Sequence, residues 1–270
     1  MSDDAPRTRR IEVMLILLAL AIATGWFVGG APIHRDGGRL SKCSGNLRGI
    51  MNSMYIYAEF AQEKFPMATI GPSDGALSFF AYRQQPPLPT DAPSPSADLW
   101  LMLRLYYNSP AQFVCPLGTD TPDPIQDPER AFDFAGPGHL SYGYHYQHHP
   151  NRRPLGTWSD PRIPLLADAN PYLKGGVTRA VSADRNSIAK GNSTNHRGRK
   201  GQCVIFVDGH ASYMRTPRTP FLPADRFATT TMPADNIYTT HADNESDDPG
   251  NAPTWTRIQI GSKSDYCLVP

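Results

Sequence analysis

The sequence predicts an α+β fold: a long N-terminal helix, membrane-spanning at first and amphipathic afterwards, packed on a small antiparallel sheet with long loops. Three observations carry this prediction. An uncharged apolar run covers residues 13–33. Apolar residues then recur every three or four positions through residues 40–65, which is the period of a helix. Short apolar runs follow, and two of them flank an Asp-Gly pair at residues 208–209, a strong signal for a β-hairpin.

The composition favours one body with many loops. The 270 residues are enough for a single hydrophobic core on a stalk. The 27 prolines and 22 glycines predict frequent turns and long irregular connections. The formal net charge is only +1, which gives no electrostatic basis for binding nucleic acid, so no nucleic-acid partner is expected.

The N-terminus has the layout of a membrane anchor. Arginines at positions 7, 9 and 10 precede the apolar run, which has the length of about 20 residues that a membrane-spanning helix needs. Positive charge favours the cytoplasmic side of a membrane. We therefore expect residues 1–12 to be cytoplasmic and residues 13–33 to form a transmembrane helix. The protein is then a single-pass protein of the inner (cytoplasmic) membrane with a periplasmic or extracytoplasmic body.

Small residues inside the apolar run support two interpretations. Gly25, Gly29 and Gly30 would permit close packing against other apolar helices in lipid. Gly29, Gly30 and Ala31 could instead form the end of a cleaved signal peptide. Pro32 directly after them argues against cleavage, so the uncleaved anchor is preferred.

Residues 34–66 are predicted to form an amphipathic stalk helix, and residues 67–270 the exported α+β domain. Pro66 ends the helical pattern. The apolar stripe of this helix requires a sheet to cover it. Its members are Leu40, Cys43, Leu47, Ile50, Met51, Met54, Tyr57, Ala58 and Ala61.

Four segments of the exported domain carry clear patterns. Residues 99–107 are strongly apolar and predict a short buried helix. Residues 142–147 alternate tyrosine with other residues, which is the period of a strand. Residues 163–167 form a compact apolar run, and residues 203–207 and 210–214 are the two arms of the predicted hairpin.

The four cysteines leave several possibilities open. Cys43, Cys115, Cys203 and Cys267 allow three pairings of two disulfides, among which the sequence does not choose. Buried free thiols are an equal alternative. None of the four lies in a Cys-x-x-Cys pair, which argues against a zinc knuckle or a redox motif.

Several blocks, in their order and spacing, resemble the pilin-like, pseudopilin-G-related proteins of planctomycete-type bacteria. The hallmark of that family is a prepilin-type N-terminal helix with a downstream His-x(n)-Asp-Gly region, and the resemblance covers most of residues 8–240. The matching family-motif residues are Cys43, Asn46, Leu47, Arg48, Cys115, Pro116, Asn195, His196, Asp208, Gly209, His210, Asp235 and Asn236.

The resemblance implies a pilin-like fold and a structural, non-enzymatic role in the bacterial envelope. Its implied partners are the membrane, other pilin-like subunits and a type II secretion-like or type IV pilus-like apparatus. Glu12 takes the place of the glutamate that pairs with a neighbouring subunit in pilin assembly.

The chain departs from the family at two places. Arg7 stands where the prepilin cleavage site has glycine, so the site is degenerate. Eleven residues separate His196 from Asp208, whereas nine are usual in the family.

No catalytic residues are predicted, because no nucleophile elbow, phosphate-binding loop or His-Glu-x-x-His motif is present in the sequence. A secreted or anchored binding module, or a metal-dependent hydrolytic module, is the alternative function. No cofactor is expected from the sequence, with one alternative: calcium held by Asp168, Asp208 and Asp235, which end apolar segments and could meet at one sheet edge. The histidines at positions 139, 145, 148 and 149 are expected to be solvated rather than metal-bound.

Overall fold

The computed structural model describes residues 5–68, 79–88, 91–148, 154–173, 191–196, 198, 200–219, 235–238 and 268–269. Cys267 lies outside these residues, as do the side-chain surroundings of Gly25, Gly29 and Gly30. The chain divides into two compact units, Met1–Ser41 and Lys42–Pro270. Helix α1, Ala5–Phe60, runs from the first unit into the second.

Two predictions, the fold class and the localisation, are wrong. Within the described residues, no helix combines the length and the apolar character needed to cross a membrane. The predicted fold class, a pilin-like fold whose N-terminal helix spans a membrane and then packs on a sheet, is therefore wrong. The predicted localisation as a single-pass inner-membrane protein is wrong for the same reason.

A spanning helix needs about 20 consecutive apolar residues, and no helix within the described residues meets that requirement. Among the described side chains of α1, the apolar ones from Val13 to Ile22 are exposed. Glu12 directly before them is also exposed.

In the second unit, α1 buries one face. The buried side chains recur at helical spacing, as the apolar stripe predicts. They are Cys43, Leu47, Ile50, Met51, Met54 and Ala58. The helix ends at Phe60, and Gln62 and Glu63 then adopt positive φ angles of 55° and 62° that turn the chain away before Pro66.

Helix α2, Pro95–Arg104, confirms the predicted buried helix but begins earlier than expected. The reason is its cap: the Ser94 hydroxyl accepts a hydrogen bond from Ala97 N, and Pro95 occupies the first helical turn, where its missing N–H costs nothing. Three short 3-10 turns follow at Pro110–Phe113, Pro128–Arg130 and Pro137–His139.

Five strands form one antiparallel sheet: β1 Tyr142–His145, β2 Pro164–Asp168, β3 Gln202–Phe206, β4 Ala211–Met214 and β7 Leu268–Val269. Their order in the sheet is β4-β3-β2-β1-β7. Strands β5 Arg218–Thr219 and β6 Asp235–Asn236 pair separately. Strands β1, β2 and β3 are buried along their whole length, so this sheet is covered on both faces where they lie.

The predicted hairpin is confirmed. Strands β3 and β4 pair in antiparallel register, and Gly209 in the turn has φ +82°. Glycine adopts this conformation without the steric cost that a Cβ atom would bring. The Tyr55 hydroxyl of α1 donates a hydrogen bond to the Val207 carbonyl beside the turn.

A buried carboxyl group lies near the start of α2. Asp133 accepts hydrogen bonds from the Ser94 hydroxyl at 2.9 Å and from Phe134 N at 2.8 Å. Burial raises the pKa of Asp133 to about 7, although these hydrogen bonds act in the opposite direction. The carboxyl group therefore holds its proton in the folded chain at pH values where the unfolded chain has lost it.

This shift predicts a pH dependence of stability. Because the folded pKa of about 7 lies above the ordinary value of 3.8, stability should fall as pH rises between these values. Asp133→Asn should remove this contribution and flatten the dependence by up to about 1.4 kcal/mol per pH unit. Urea unfolding at pH 5, 6 and 7 measures it. The half-exposed Asp127→Asn serves as the control, and equal slopes in wild type and Asp133→Asn would contradict the assignment.

Candidate metal centre

Four metal-ligating side chains from separate parts of the second unit meet in its interior. Cys43 comes from α1, Asp168 from the end of β2, His196 from the segment before β3, and Cys203 from β3 itself. One ligand atom from each lies within 4.8 Å of the others, and all four residues are buried. This cluster could bind a metal ion.

The sheet register accounts for half of the cluster. Strands β2 and β3 are antiparallel, with Ala167 opposite Val204. The next residue of β2, Asp168, therefore reaches Cys203, whose backbone N–H donates to Asp168 Oδ2 at 2.6 Å. The pairing of β2 with β3 is therefore enough to fix the position of this carboxylate beside Cys203.

The second oxygen of this carboxylate accepts hydrogen bonds from α1 and from the segment before β3. Asp168 Oδ1 accepts hydrogen bonds from Cys43 Sγ at 3.2 Å and from Asn195 Nδ2 at 3.1 Å. The Asn195 amide also donates to the Ser141 carbonyl at 2.5 Å, next to β1. Asp168 is fully buried, and a buried carboxylate persists only with such compensation.

His196 stands beside the carboxylate with unused hydrogen-bonding capacity. Its Nε2 lies 3.2 Å from Asp168 Oδ2, and its ring stacks on Tyr213 of β4 with centroids 5.8 Å apart. Among the described residues, neither ring nitrogen has a hydrogen-bond partner of normal geometry. Burial opposes the charged form, but interactions with Cys115 and then Asp168 outweigh it and raise the pKa of His196 to about 9.

Cys115 adds a third thiol. The interaction with the Cys43 thiol lowers the pKa of the Cys115 thiol to about 6 against the effect of burial, and His196 lowers it further. The pKa of Cys43 is shifted in the opposite direction. The Cys115 thiol raises it most, followed by the Cys203 thiol and then by burial. Cys43, Cys115 and Cys203 are all buried free thiols, so the disulfide pairings among these three are not formed.

The dimensions suit a small tetrahedral ion. With bonds of about 2.0–2.3 Å, the ligand atoms of a zinc site lie roughly 3.3–3.8 Å apart. The distances from Asp168 to Cys43 and to His196, both 3.2 Å, are close to that spacing. Because all four ligand atoms lie within 4.8 Å of one another, the cluster would need to contract only slightly around an ion. Sulfur and imidazole ligands favour zinc and similar transition metals over calcium.

The predicted calcium site is not supported. Strands β2 and β3 are antiparallel, so Asp168 at the end of β2 lies beside the start of β3, whereas Asp208 follows its end. At about 3.3 Å per residue, the two carboxylates are roughly 15 Å apart along the strand. Asp208 is exposed, and its Oδ1 lies 2.5 Å from Nδ1 of His210. The Asp235 side chain lies outside what is described, although its backbone is in β6.

The family-motif residues separate into two groups. Asn46, Cys115 and Asn195 lie beside the cluster, while Asp208, Gly209 and His210 form the hairpin turn. His196 pairs with Asp168 and not with the Asp208-Gly209 turn. The others are placed as follows: Leu47 is buried, Pro116 half-buried, Arg48 exposed, and Asn236 in β6.

Two histidines outside the cluster also differ from expectation. His145 and His148 are buried rather than solvated. His148 Nε2 lies 2.7 Å from Asp98 Oδ2 near the start of α2, which explains its burial. The conclusion that this histidine-rich stretch is not a metal site stays a prediction.

The sequence prediction missed the metal cluster itself. Its members share no motif spacing, and the hydrogen-bonded pair Cys43 and Asp168 alone is separated by 125 positions. The available signal was that two of its members, Cys43 and His196, lie in different blocks of the resemblance.

Comparison with known proteins assigns neither family nor fold: no protein-family model matches the chain, and no curated protein or solved structure matches it significantly.

The hydrogen bonds of Asp168 predict a large loss of stability on its removal. Asp168→Ala leaves Cys203 N–H and the Asn195 amide without their buried acceptor, and should cost about 3 kcal/mol or more in the free energy of unfolding. The exposed Asp208→Ala is the matched control and should cost about 1 kcal/mol or less. Urea unfolding measures both. Similar losses for the two variants would contradict the central position of Asp168.

Proposed function

We propose that this protein is a non-enzymatic structural and interaction protein whose body is stabilised by a transition-metal ion, with zinc as the preferred ion. The observation that carries the proposal is the convergence of Cys43, His196 and Cys203 beside Asp168, all buried, from three distant segments of the chain. A metal ion bound by them would tie α1 to the sheet and to the segment before β3.

The chemistry of the ligands supports zinc over calcium. Calcium takes six to eight oxygen ligands, and this cluster offers one carboxylate among thiols and an imidazole. Zinc takes four nitrogen and sulfur ligands in a tetrahedron. The raised pKa of Cys43 is consistent with a thiol that gives up its proton only when a metal ion replaces it.

Burial supports a structural role over catalysis. Catalytic zinc sites keep one coordination position open to water or substrate, whereas structural sites are closed. The four side chains here have relative exposures of 0–4 %. This argues against the alternative of a metal-dependent hydrolytic module. The resemblance to pilin-like proteins supports an interaction role, with other pilin-like subunits or a secretion apparatus as the proposed partners.

Zinc loading provides the test. The purified chain should bind about one equivalent of zinc, measured by elemental analysis after dialysis. At free zinc of about 1,000 times Kd, the folded state should gain about 4 kcal/mol. Its Tm should then rise by roughly 10 °C above that of chelator-treated protein. Calcium at the same concentration should leave Tm unchanged.

A pair of histidine variants makes the test specific. His196→Gln should lose most of the zinc and of the Tm increase. His210→Gln, at an exposed histidine on the β3–β4 turn, should retain both. The absence of zinc binding by the wild type, or equal loss in both variants, would overturn the proposal.

A further inference from the structure

Cys115 lies beside the four clustered residues, although it is distant from all of them in sequence. Helix α1 brings it there. Asn46, one turn beyond Cys43, donates its side-chain amide to the Val114 carbonyl at 3.0 Å and lies 3.4 Å from the Tyr142 hydroxyl. That hydroxyl is itself 3.5 Å from Cys43 Sγ, so the residue before Cys115 is fixed against the same turn of helix as Cys43.

The other side of Cys115 faces the His196 segment. Gly118 N donates to the Cys115 carbonyl at 3.0 Å and closes a turn. A Cβ atom at Gly118 would lie 3.7 Å from Asn195 Oδ1. The Cys115 side chain is buried. The Cys43 thiol and His196 both act to lower the pKa of the Cys115 thiol, as neighbouring groups do. Cys115 is therefore a neighbour of two of the cluster's ligand groups.

Asp168 has a different kind of environment. Oδ2 accepts from the Cys203 backbone N–H at 2.6 Å, and Oδ1 accepts from the Asn195 amide at 3.1 Å. Neither donor can move away without breaking strand β3 or the segment before it. A carboxylate held in this way, 3.2 Å from His196 Nε2, matches the outer carboxylate that orients a metal-bound histidine through its second nitrogen.

We infer that the metal ion is bound by Cys43, Cys115, Cys203 and His196, and that Asp168 is a positioning residue outside the first coordination sphere. This assignment rests on the proposed function. It gives three sulfurs and one nitrogen, a common composition of closed structural zinc sites. Asp168 then keeps its hydrogen bonds to the backbone and to Asn195 when the metal binds.

X-ray absorption at the zinc edge of the loaded wild-type chain tests the assignment without any variant. Three sulfurs at about 2.3 Å with one nitrogen at about 2.0 Å support it. Two sulfurs with two nitrogen or oxygen ligands overturn it, since Asp168 would then be a ligand. A wild-type chain that takes up no zinc contradicts the proposed function, and the ligand assignment with it.

Cobalt substitution compares the two competing residues directly. In Cys115→Ser, the sulfur-to-cobalt charge-transfer absorption should fall by about one third, because one of three thiolates is lost. In Asp168→Asn, which keeps the shape of the side chain, that absorption per bound cobalt should be unchanged, while metal affinity falls about 10–100-fold. Unchanged absorption in Cys115→Ser, together with a changed tetrahedral spectrum in Asp168→Asn, would reverse the assignment.

Discussion

The packing of the second unit depends on one buried carboxylate. Asp168 has no exposed surface, and a polar group in that position is stable only when hydrogen bonds replace its hydration. Its donors come from β3, from the segment before β3 and from α1. Its own backbone carbonyl accepts from the Tyr238 hydroxyl at 2.9 Å. Four segments distant in sequence are thereby fixed around a single side chain.

The three thiols and the imidazole add a second constraint at the same point. They form a buried polar cluster in which, among the described residues, neither ring nitrogen of His196 has a hydrogen-bond partner of normal geometry. Such clusters are costly in a low-dielectric interior unless every member is bonded. A metal ion would satisfy all of them at once and release their protons, so binding and folding would be coupled.

The sequence predicted the local elements because their signals are local. The Asp-Gly hairpin, helix α2 and the buried stripe from Cys43 to Ala58 follow from turn chemistry and periodicity. The predicted membrane span is wrong because no helix within the described residues combines the length and the apolar character that crossing a membrane requires. The calcium site is not supported because Asp168 ends β2 and Asp208 follows β3, and these antiparallel strands carry the two aspartates to opposite ends of the pair. The thiol cluster was not predictable, since its members become neighbours only through long-range strand and helix packing.

The His-x(n)-Asp-Gly block consists of two structural parts, a residue of the buried cluster and a hairpin turn, which are joined by a strand. His196 precedes β3 and belongs to the buried cluster, whereas Asp208 and Gly209 follow β3 and form the turn. The five residues of β3, Gln202–Phe206, lie within the eleven residues that separate His196 from Asp208. The separation of the two parts is therefore set by the length of a strand and its connections, not by a contact between histidine and aspartate. A change in that spacing can be absorbed in the connection without moving either part.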